Sequence, residues 1–255
     1  MTEPAGRADA LLESYPRARP PLPEAHRRIF EAEYKANREG RDAASSLAQR
    51  AESWMHRRVA VDPAYPTLEL GAGTLNHLPY EAAEGDYDVV EPMASLLDGS
   101  PALARVRDRF SSLHEIDPAR RYRRIVSVAV LEHMEDLPRD VARAGLLLAE
   151  GGRFCAGIPA EGGFAWGLGW RVTTGLSFRL RNRLDYGAVM RHEHLSTDLE
   201  ILAVVRHFFE SVRVWRFPLP LRHASLYAAL EATGPRLSRC RERCAAAPAD
   251  DDAAL

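Results

Sequence analysis

A short apolar segment that ends in a glycine loop constrains the fold of this chain more than any other feature. Residues 65–70, Tyr-Pro-Thr-Leu-Glu-Leu, lead directly into Gly71-Ala72-Gly73. This pattern is typical of a buried parallel strand followed by a tight turn. A side chain at either glycine would obstruct the turn and the approach of a ligand to the backbone. We therefore expect a strand that ends at a ligand-binding loop.

Further strand candidates follow at intervals that leave room for helices. In chain order they are residues 87–90, 111–116, 125–130, 152–158, 212–217 and 225–232, and the last of these fits a strand or a helix. Helical periodicity marks residues 93–97, 137–149 and 196–209. Strands that alternate with helices predict an α/β fold with a Rossmann-like, doubly wound and mostly parallel seven-stranded sheet.

The remaining segments suggest the domain organisation. Four prolines between positions 16 and 23 disfavour a helix, so residues 1–24 are expected to form a flexible arm. Helical spacing of apolar residues predicts an N-terminal helical cap at 25–60. The main domain is expected at 61–244, with an insertion at 160–195 between the fifth strand and the next helix. The acidic end, 245–255, is expected to be disordered.

The composition argues against several classes of partner. The formal net charge is -2, with 27% charged residues, so we expect no nucleic-acid partner. No apolar stretch approaches the roughly 20 residues that span a bilayer, and we expect no membrane partner. Three cysteines fit reduced thiols, and the N-terminus lacks a basic-then-apolar signal, which favours a cytoplasmic location. Cys240 and Cys244 are expected at the surface. The sequence leaves the oligomeric state open between a monomer and a homodimer.

A carboxylate follows the glycine loop at the distance that nucleotide-binding proteins use. Glu91 ends the strand candidate 87–90, about 20 residues after the loop, where a carboxylate can accept both hydroxyl hydrogens of a ribose. The dinucleotide fingerprint would require a third glycine at position 76, which is Asn76 in this chain. The spacing predicts a nucleoside-containing ligand, and an NAD(P)-dependent oxidoreductase stays an alternative.

Four segments between residues 65 and 160 occur in an informative order. They are Glu69-Leu70-Gly71-Ala72-Gly73, then Glu91, then Ile-Val-Ser-Val-Ala-Val-Leu-Glu-His at 125–133 and Leu-Leu-Leu-Ala-Glu-Gly-Gly-Arg-Phe at 146–154. Together they resemble the first two motifs and the fourth and fifth strands of small-molecule class I S-adenosyl-L-methionine (SAM) dependent methyltransferases. Leu75 replaces a third glycine that many members of that family carry.

The resemblance implies SAM as the cofactor and assigns residues to each part of it. Glu69 and the loop backbone would meet the methionine part, Glu91 the ribose, and the residues after the second and third strands the adenine. Ala129 and Val130 would form the wall near the sulfonium. The implied set is Glu69, Gly71, Ala72, Gly73, Thr74, Glu91, Pro92, Met93, Ser112, Leu113, Ala129 and Val130.

Methyl transfer to a hydroxyl needs a base, and three residues are candidates. His133 ends the fourth strand, at the edge where open α/β sheets bind ligands, although it can equally orient the loop. His194 and Asp185 are alternative bases in a segment rich in histidine and carboxylate. His192 and His194, two apart, lack a third ligand at a fixed spacing, so we expect no metal site.

The insertion at 160–195 is the expected acceptor region. Glycines that space large aromatic residues suit a lid or an acceptor wall, with Trp166, Trp170, Tyr186 and His192 as contacts. The two tryptophans, four apart, would also fit a helix face packed on the sheet. An interfacial helix is a third interpretation, because arginines follow them. In the cap, Tyr34, Lys35 and Arg38 are candidates for binding an anionic group.

The residues taken together predict a SAM-dependent methyltransferase. The acceptor would be an oxygen or nitrogen of a small molecule, with a sugar or another biosynthetic intermediate as the suggested class. Two alternatives remain besides this one. They are an NAD(P)-dependent oxidoreductase and a protein that binds SAM without catalysis.

Overall fold

One sheet organises the part of the chain that the computed structural model describes, residues 5–27, 29, 43–82 and 85–246. Within these ranges it has seven strands in the order β3-β2-β1-β4-β5-β7-β6. The strands are β1 (Thr67–Leu70), β2 (Tyr87–Val90), β3 (Arg109–Phe110), β4 (Tyr122–Val128), β5 (Leu148–Pro159), β6 (Phe209–Pro218) and β7 (Ser225–Pro235).

The sheet is mixed because β7 runs opposite to the other six strands. Strands β1 to β5 pair in parallel, whereas β7 is antiparallel to both β5 and β6. Only a short connection separates β6 from β7, and a connection of that length permits antiparallel pairing alone. The Rossmann-like α/β prediction is confirmed. The sheet is parallel through five strands and antiparallel at one edge.

Helices cover the sheet and form the insertion. They are α1 (Ala5–Glu13), α2 (Ala43–Val59), α3 (Leu137–Leu147), α4 (Phe164–Trp170), α5 (Leu176–Asn182), α6 (Gly187–Glu193), α7 (Asp198–Phe208) and α8 (Leu237–Ala245). A π-helical segment, Arg171–Gly175, joins α4 to α5. Thr197 begins α7 through a capping box with Glu200. None of the helices in the described ranges has the length and apolar character that a membrane span requires.

Two predicted elements differ from the structure around the third strand. The segment 93–97 forms only a 3₁₀ turn, Ala94–Leu96, and the third strand ends at Phe110. The backbone N–H of His114 donates to the hydroxyl of Ser112 at 3.2 Å. Such a local bond favours a turn over a strand, so 3₁₀ helix forms where the sequence predicted strand.

The expectation of a flexible N-terminal arm is wrong for residues 5–23. Helix α1 places Leu11 and Leu12 against the core, and Tyr15 is only 5% exposed. The Tyr15 hydroxyl lies 2.7 Å from the hydroxyl of Ser196, and Arg17 pairs with Glu200 at 2.7 Å. The prolines prevent the helix from continuing and favour an extended backbone. The side chains of this extended segment contact the main domain.

Two further expectations have different outcomes. Cys240 is completely buried, because α8 packs on α3 with Gly145 beside the Cys240 sulfur. The expectation of a surface position is therefore wrong for Cys240, and Cys244 is partly buried against the same core. The cap residues Tyr34, Lys35 and Arg38 lie outside the described residues, as does the segment 247–255.

A buried ionic chain links the central strand to the loop after β1. Arg124 on β4 is fully buried and pairs with Glu81. The other carboxylate oxygen of Glu81 lies 2.7 Å from Nε2 of His77, whose Nδ1 lies 3.1 Å from Nδ1 of His56 on α2. Burial raises the pKa of Glu81, but the bonds to His77 and Arg124 outweigh it and the pKa is lowered. The chain thus joins α2, the loop and the sheet.

Replacing Glu81 is expected to destabilise the fold strongly. Glu81→Gln leaves Arg124 buried without a carboxylate, which costs about 3–5 kcal/mol of unfolding free energy at neutral pH. Because the folded-state pKa of Glu81 is lowered, its contribution is present above the unfolded pKa and is lost as the pH falls through the folded value. Urea unfolding at several pH values measures both effects.

The exposed pair between Glu135 and Arg19 supplies the control. Glu135→Gln should cost less than about 1 kcal/mol at any pH, because solvent screens the pair. A loss of similar size in both variants would contradict a stabilising role for the buried chain.

Candidate active site

The glycine loop adopts a backbone that requires glycine. Gly71 and Gly73 have φ values of +66° and +53°, in the left-handed region. A Cβ on Gly71 would lie 2.4 Å from Cγ2 of Val130, at the end of β4. The N–H groups of Gly71 and Ala72 donate to the carbonyl of Val90 at 2.8 and 3.2 Å. The loop therefore packs closely against the ends of both neighbouring strands.

Glu91 closes the loop from the next strand. One oxygen of its carboxylate accepts the N–H of Gly73 at 2.7 Å, and the other accepts the N–H of Met93 at 2.9 Å. The residue is 7% exposed. Each oxygen has a second lone pair, so the carboxylate can also accept hydroxyl hydrogens from a ligand. Glu91 therefore lies directly against the glycine loop.

Glu69 lies beneath the loop in a strongly desolvated position. Its side chain is buried and accepts a hydrogen bond from the Tyr87 hydroxyl at 2.9 Å. Burial raises the pKa of Glu69 to about 7. A buried carboxyl group that ionises at high pH lowers the stability of the fold. Carboxyl groups with such a perturbed pKa are typical of functional sites.

Backbone strain marks the end of β4. Ala129 has a φ of +55°, although it is not glycine, and its N–H donates to the carbonyl of Gly157 at 2.8 Å. Leu75, at the far end of the glycine loop, has a φ of +65°. Non-glycine residues in this region are uncommon and cluster at functional sites.

The residues expected to contact the adenine differ in how accessible they are to a ligand. Pro92 and Met93 are exposed beside Glu91. The Ser112 hydroxyl is bonded within its own turn, and Leu113 is buried in the hydrophobic core. Thr74, at the other end of the loop, donates from its hydroxyl to the Asn76 side chain at 2.8 Å. Pro92 and Met93 are therefore better placed for ligand contact than Ser112 and Leu113.

A cleft of about 440 Å³ lies between the end of β5 and the insertion. It combines aromatic faces with charges of both signs. The lining residues are Glu161, Gly162, Gly163, Trp166, Gly167, Trp170, Arg171, Asp185, Gly187, Met190, Arg191 and His194. Its size and mixture of apolar and polar groups are those of a small-molecule site.

Glu161 connects two other lining residues at the inner end of this cleft. Its Oε2 atom accepts the indole N–H of Trp166 at 2.6 Å and lies 2.9 Å from Nδ1 of His194. Burial raises the pKa of Glu161, but the bond to His194 outweighs it and the pKa is lowered. Burial lowers the pKa of His194, but Glu161 and Glu132 outweigh it and the pKa is raised.

Two predicted bases meet at this end of the cleft. The rings of His133 and His194 are 5.0 Å apart in an edge-to-face arrangement. Nδ1 of His133 donates to the carbonyl of Glu193 at 2.7 Å. Asp185 lines the same cleft and accepts the N–H of Gly187 at 3.1 Å. All three candidate bases therefore lie in or beside one cleft.

The insertion is largely helical, and its predicted contacts divide into two groups. Trp166 and Trp170 line the cleft. The ring of Tyr186 lies 6.0 Å from that of Trp170, and Nδ1 of His192 lies 2.7 Å from the carbonyl of Pro20. Neither Tyr186 nor His192 is among the lining residues. The two tryptophans are thus the better placed for an acceptor.

Sequence reasoning missed Glu161, Met190 and the buried Glu132. Glu161 comes shortly after the strand candidate 152–158, at the edge where such sheets bind ligands. That rule could have identified Glu161. Met190 has no comparable signal, and the meeting of Glu132 with His194 depends on tertiary structure.

Comparison with solved structures identifies the fold of this chain. Neither a protein-family model nor a curated protein matches the sequence. An O-methyltransferase family protein from Burkholderia thailandensis superposes with a TM-score of 0.51 at 15% identity, covering 81% of this chain and 62% of that one. This chain therefore matches less than two thirds of that protein's length.

Two other solved structures match over nearly their whole length. A SAM-dependent methyltransferase from Thermotoga maritima, described as a possible histamine N-methyltransferase, gives a TM-score of 0.54 at 16% identity, covering 81% of this chain and 98% of that one. The plantazolicin methyltransferase, solved with a substrate analog and S-adenosylhomocysteine (SAH), gives a TM-score of 0.58 at 11% identity. The match covers 90% of this chain and 98% of that one. The chain has the fold of class I SAM-dependent methyltransferases.

The raised pKa of Glu69 predicts a specific pH dependence of stability. The folded value of about 7 exceeds the usual 4.5, so the folded state binds the proton more tightly and stability falls as the pH rises between these values. Glu69→Gln removes that fall. At pH 8 the variant should be more stable than the parent by about 3 kcal/mol, and the difference should vanish near pH 4.

Denaturant unfolding at a series of pH values measures this difference. The exposed Glu150 provides a control, because Glu150→Gln should leave the parent's pH profile unchanged. An identical pH profile for Glu69→Gln and the parent would show that Glu69 is not held in a desolvated site.

Proposed function

We propose that this chain is a SAM-dependent methyltransferase that methylates an oxygen or nitrogen of a small molecule. The observation that carries the proposal is the position of Glu91. Its carboxylate is bonded to the N–H of Gly73 within the glycine loop, at the ends of the paired strands β1 and β2. This arrangement supports a nucleoside seat at this edge of the sheet.

The residues at this edge fit SAM as a cofactor. The left-handed glycines leave the loop backbone open to a ligand, and Glu91 can accept ribose hydroxyl hydrogens. Ala129 and Val130 follow β4, and Val130 lies against Gly71 of the loop, where the resemblance implies the sulfonium. When bound, SAM supplies an electrophilic methyl group on sulfur. The protein's part is then chiefly to align the acceptor atom with that group.

The cleft supports a small polar acceptor that carries a ring. Trp166 and Trp170 line the cleft, where an aromatic ring or the apolar face of a sugar can pack against them. Glu161, Asp185 and Arg191 add groups of both signs that can orient hydroxyl, amine or acidic substituents. A sugar or another biosynthetic intermediate fits this lining. His133, His194 and Asp185 are the groups placed to act on a proton of the acceptor.

Substitution of the first loop glycine is expected to weaken SAM binding. In Gly71→Ala the new methyl group would clash with Val130 and would stand at a φ of +66°. We expect SAM affinity to fall at least about 10-fold, because the loop must move away from its ligand. Isothermal titration with SAM and SAH measures the effect.

Gly151→Ala is the matched control for this substitution. Gly151 also has a positive φ, +69°, but a Cβ there would meet nothing within 4 Å. The two variants share the backbone strain and differ in the contact at the loop. Equal SAM affinity in Gly71→Ala and Gly151→Ala would argue against the loop as the cofactor seat.

Acceptor binding is expected to change the fluorescence of the two cleft tryptophans. Candidate acceptors are added to the SAH complex, and those that quench are incubated with methyl-labelled SAM to detect transfer. Trp166→Phe and Trp170→Phe should each reduce the quench. Trp215→Phe should leave it unchanged, since Trp215 packs against Arg58 outside the cleft.

Two results would contradict the proposed function. Binding of NADH without any binding of SAM would favour the oxidoreductase alternative. Tight SAM binding with no SAH formed in any metabolite extract would favour a protein that binds SAM without catalysis.

A further inference from the structure

Three side chains from two distant parts of the sequence meet beside the cleft. Glu132 and His133 follow β4, and His194 follows α6. Each side chain offers one atom that could bind a metal ion, and these three atoms lie within 4.8 Å of one another. Glu132 is 1% exposed, and His133 and His194 are partly buried. Two imidazoles and one carboxylate form a ligand set that transition metals bind.

The hydrogen bonds of the two histidines fix which nitrogen can serve as a ligand. Nδ1 of His133 can only donate to the carbonyl of Glu193, so in the neutral ring the lone pair is on Nε2. Nδ1 of His194 is bonded to the Glu161 carboxylate, which favours the same tautomer. Metal-binding histidines are held in this way, with the other ring nitrogen bonded to a carbonyl or carboxylate.

The position of Glu132 supplies an independent argument for a ligand. Within the described part of the chain, no group hydrogen-bonds to its Oε2, which is buried. A buried carboxylate oxygen without a donor is unfavourable and calls for an explanation. The backbone is held firmly, because the carbonyl of Glu132 accepts the N–H groups of Leu195 and Ser196 at 2.7 and 3.2 Å. A cation among the three side chains would satisfy that oxygen.

We propose that Glu132, His133 and His194 bind a divalent transition-metal ion, with zinc the best match. Magnesium and calcium prefer all-oxygen ligands, whereas zinc takes two histidines and a glutamate and keeps a further position open. Nε2 of His133 lies 3.8 Å from Oε1 of Glu132. Two ligands of a tetrahedral zinc ion are about 3.3 Å apart, so the three side chains must move closer together than the 4.8 Å limit within which their ligand atoms now lie.

The open position of this ion would face the acceptor. His194 lines the cleft, so a group bound there can reach the ion from the cleft side. An ion in this place orients an acceptor oxygen and lowers the pKa of its hydroxyl. This role rests on the proposed methyltransferase function, whereas metal binding itself does not. With the ion bound, both ring nitrogens of each histidine are engaged, so Asp185 is the one of the three candidate bases that can still accept the acceptor's proton. The metal site also reverses the expectation of no metal, which considered only ligands close together in the sequence.

Zinc titration of the full-length protein tests the site. The protein is treated with a chelator, dialysed and titrated calorimetrically with Zn²⁺, and Co²⁺ absorption is recorded as a report on the ligand geometry. We expect about one equivalent to bind with a Co²⁺ spectrum typical of nitrogen and oxygen ligands. Glu132→Gln and His194→Asn should each weaken binding at least about 100-fold, and Glu161→Gln about 10-fold.

His114→Ala is the matched control. His114 forms a histidine–carboxylate pair with Asp140 at 3.2 Å on the surface, and this variant should bind zinc like the parent. Thermal unfolding verifies that each variant is folded, and His194→Asn tests the site if Glu132→Gln does not fold. SAM is titrated into the same samples, so a failure of the methyltransferase proposal is seen separately.

Three outcomes would overturn the metal site. The first is the absence of zinc binding by the parent. The second is equal zinc affinity in the parent, Glu132→Gln and His194→Asn, which would indicate binding elsewhere. The third is a loss of zinc binding in His114→Ala as large as in the cluster variants.

Discussion

The parallel pairing of β1 with both β2 and β4 is the constraint on which the candidate site depends. In this register Leu70 lies beside Val90 on one side and Ser127 on the other, so the three strands reach the same edge. Parallel neighbours bring their carboxyl ends together. The glycine loop, Glu91 and the strained end of β4 are thereby collected at one edge. The contact that leaves no room for a Cβ on Gly71 follows from that pairing.

Three glutamates are buried along this edge, and the environment of each differs. Glu91 is bonded to two backbone N–H groups of the site itself. Glu69 has the Tyr87 hydroxyl, yet burial raises its pKa to about 7. Burial likewise raises the pKa of Glu132 to about 7. Desolvated carboxylates reduce the stability of a fold, so their concentration at one edge fits a site kept for function.

The sequence predicts the parts of this structure that local patterns determine. The apolar segment before Gly71 and the strand before Glu91 are where they were expected, because each carries its own pattern of burial. The contact of Tyr15 with Ser196 and the meeting of His133 with His194 join distant segments. No local pattern encodes such contacts. For the same reason the N-terminal arm and Cys240 were misjudged, since their burial depends on surfaces that form only in the fold.

A crystal structure of the protein grown with SAH would show whether the glycine loop holds the cofactor. We expect the ribose hydroxyls on the Glu91 carboxylate, the amino-acid part along the backbone of the glycine loop, and the sulfur directed toward the cleft that Trp166 and His194 line. Density for SAH at another place, or an empty glycine loop in crystals saturated with SAH, would contradict this expectation.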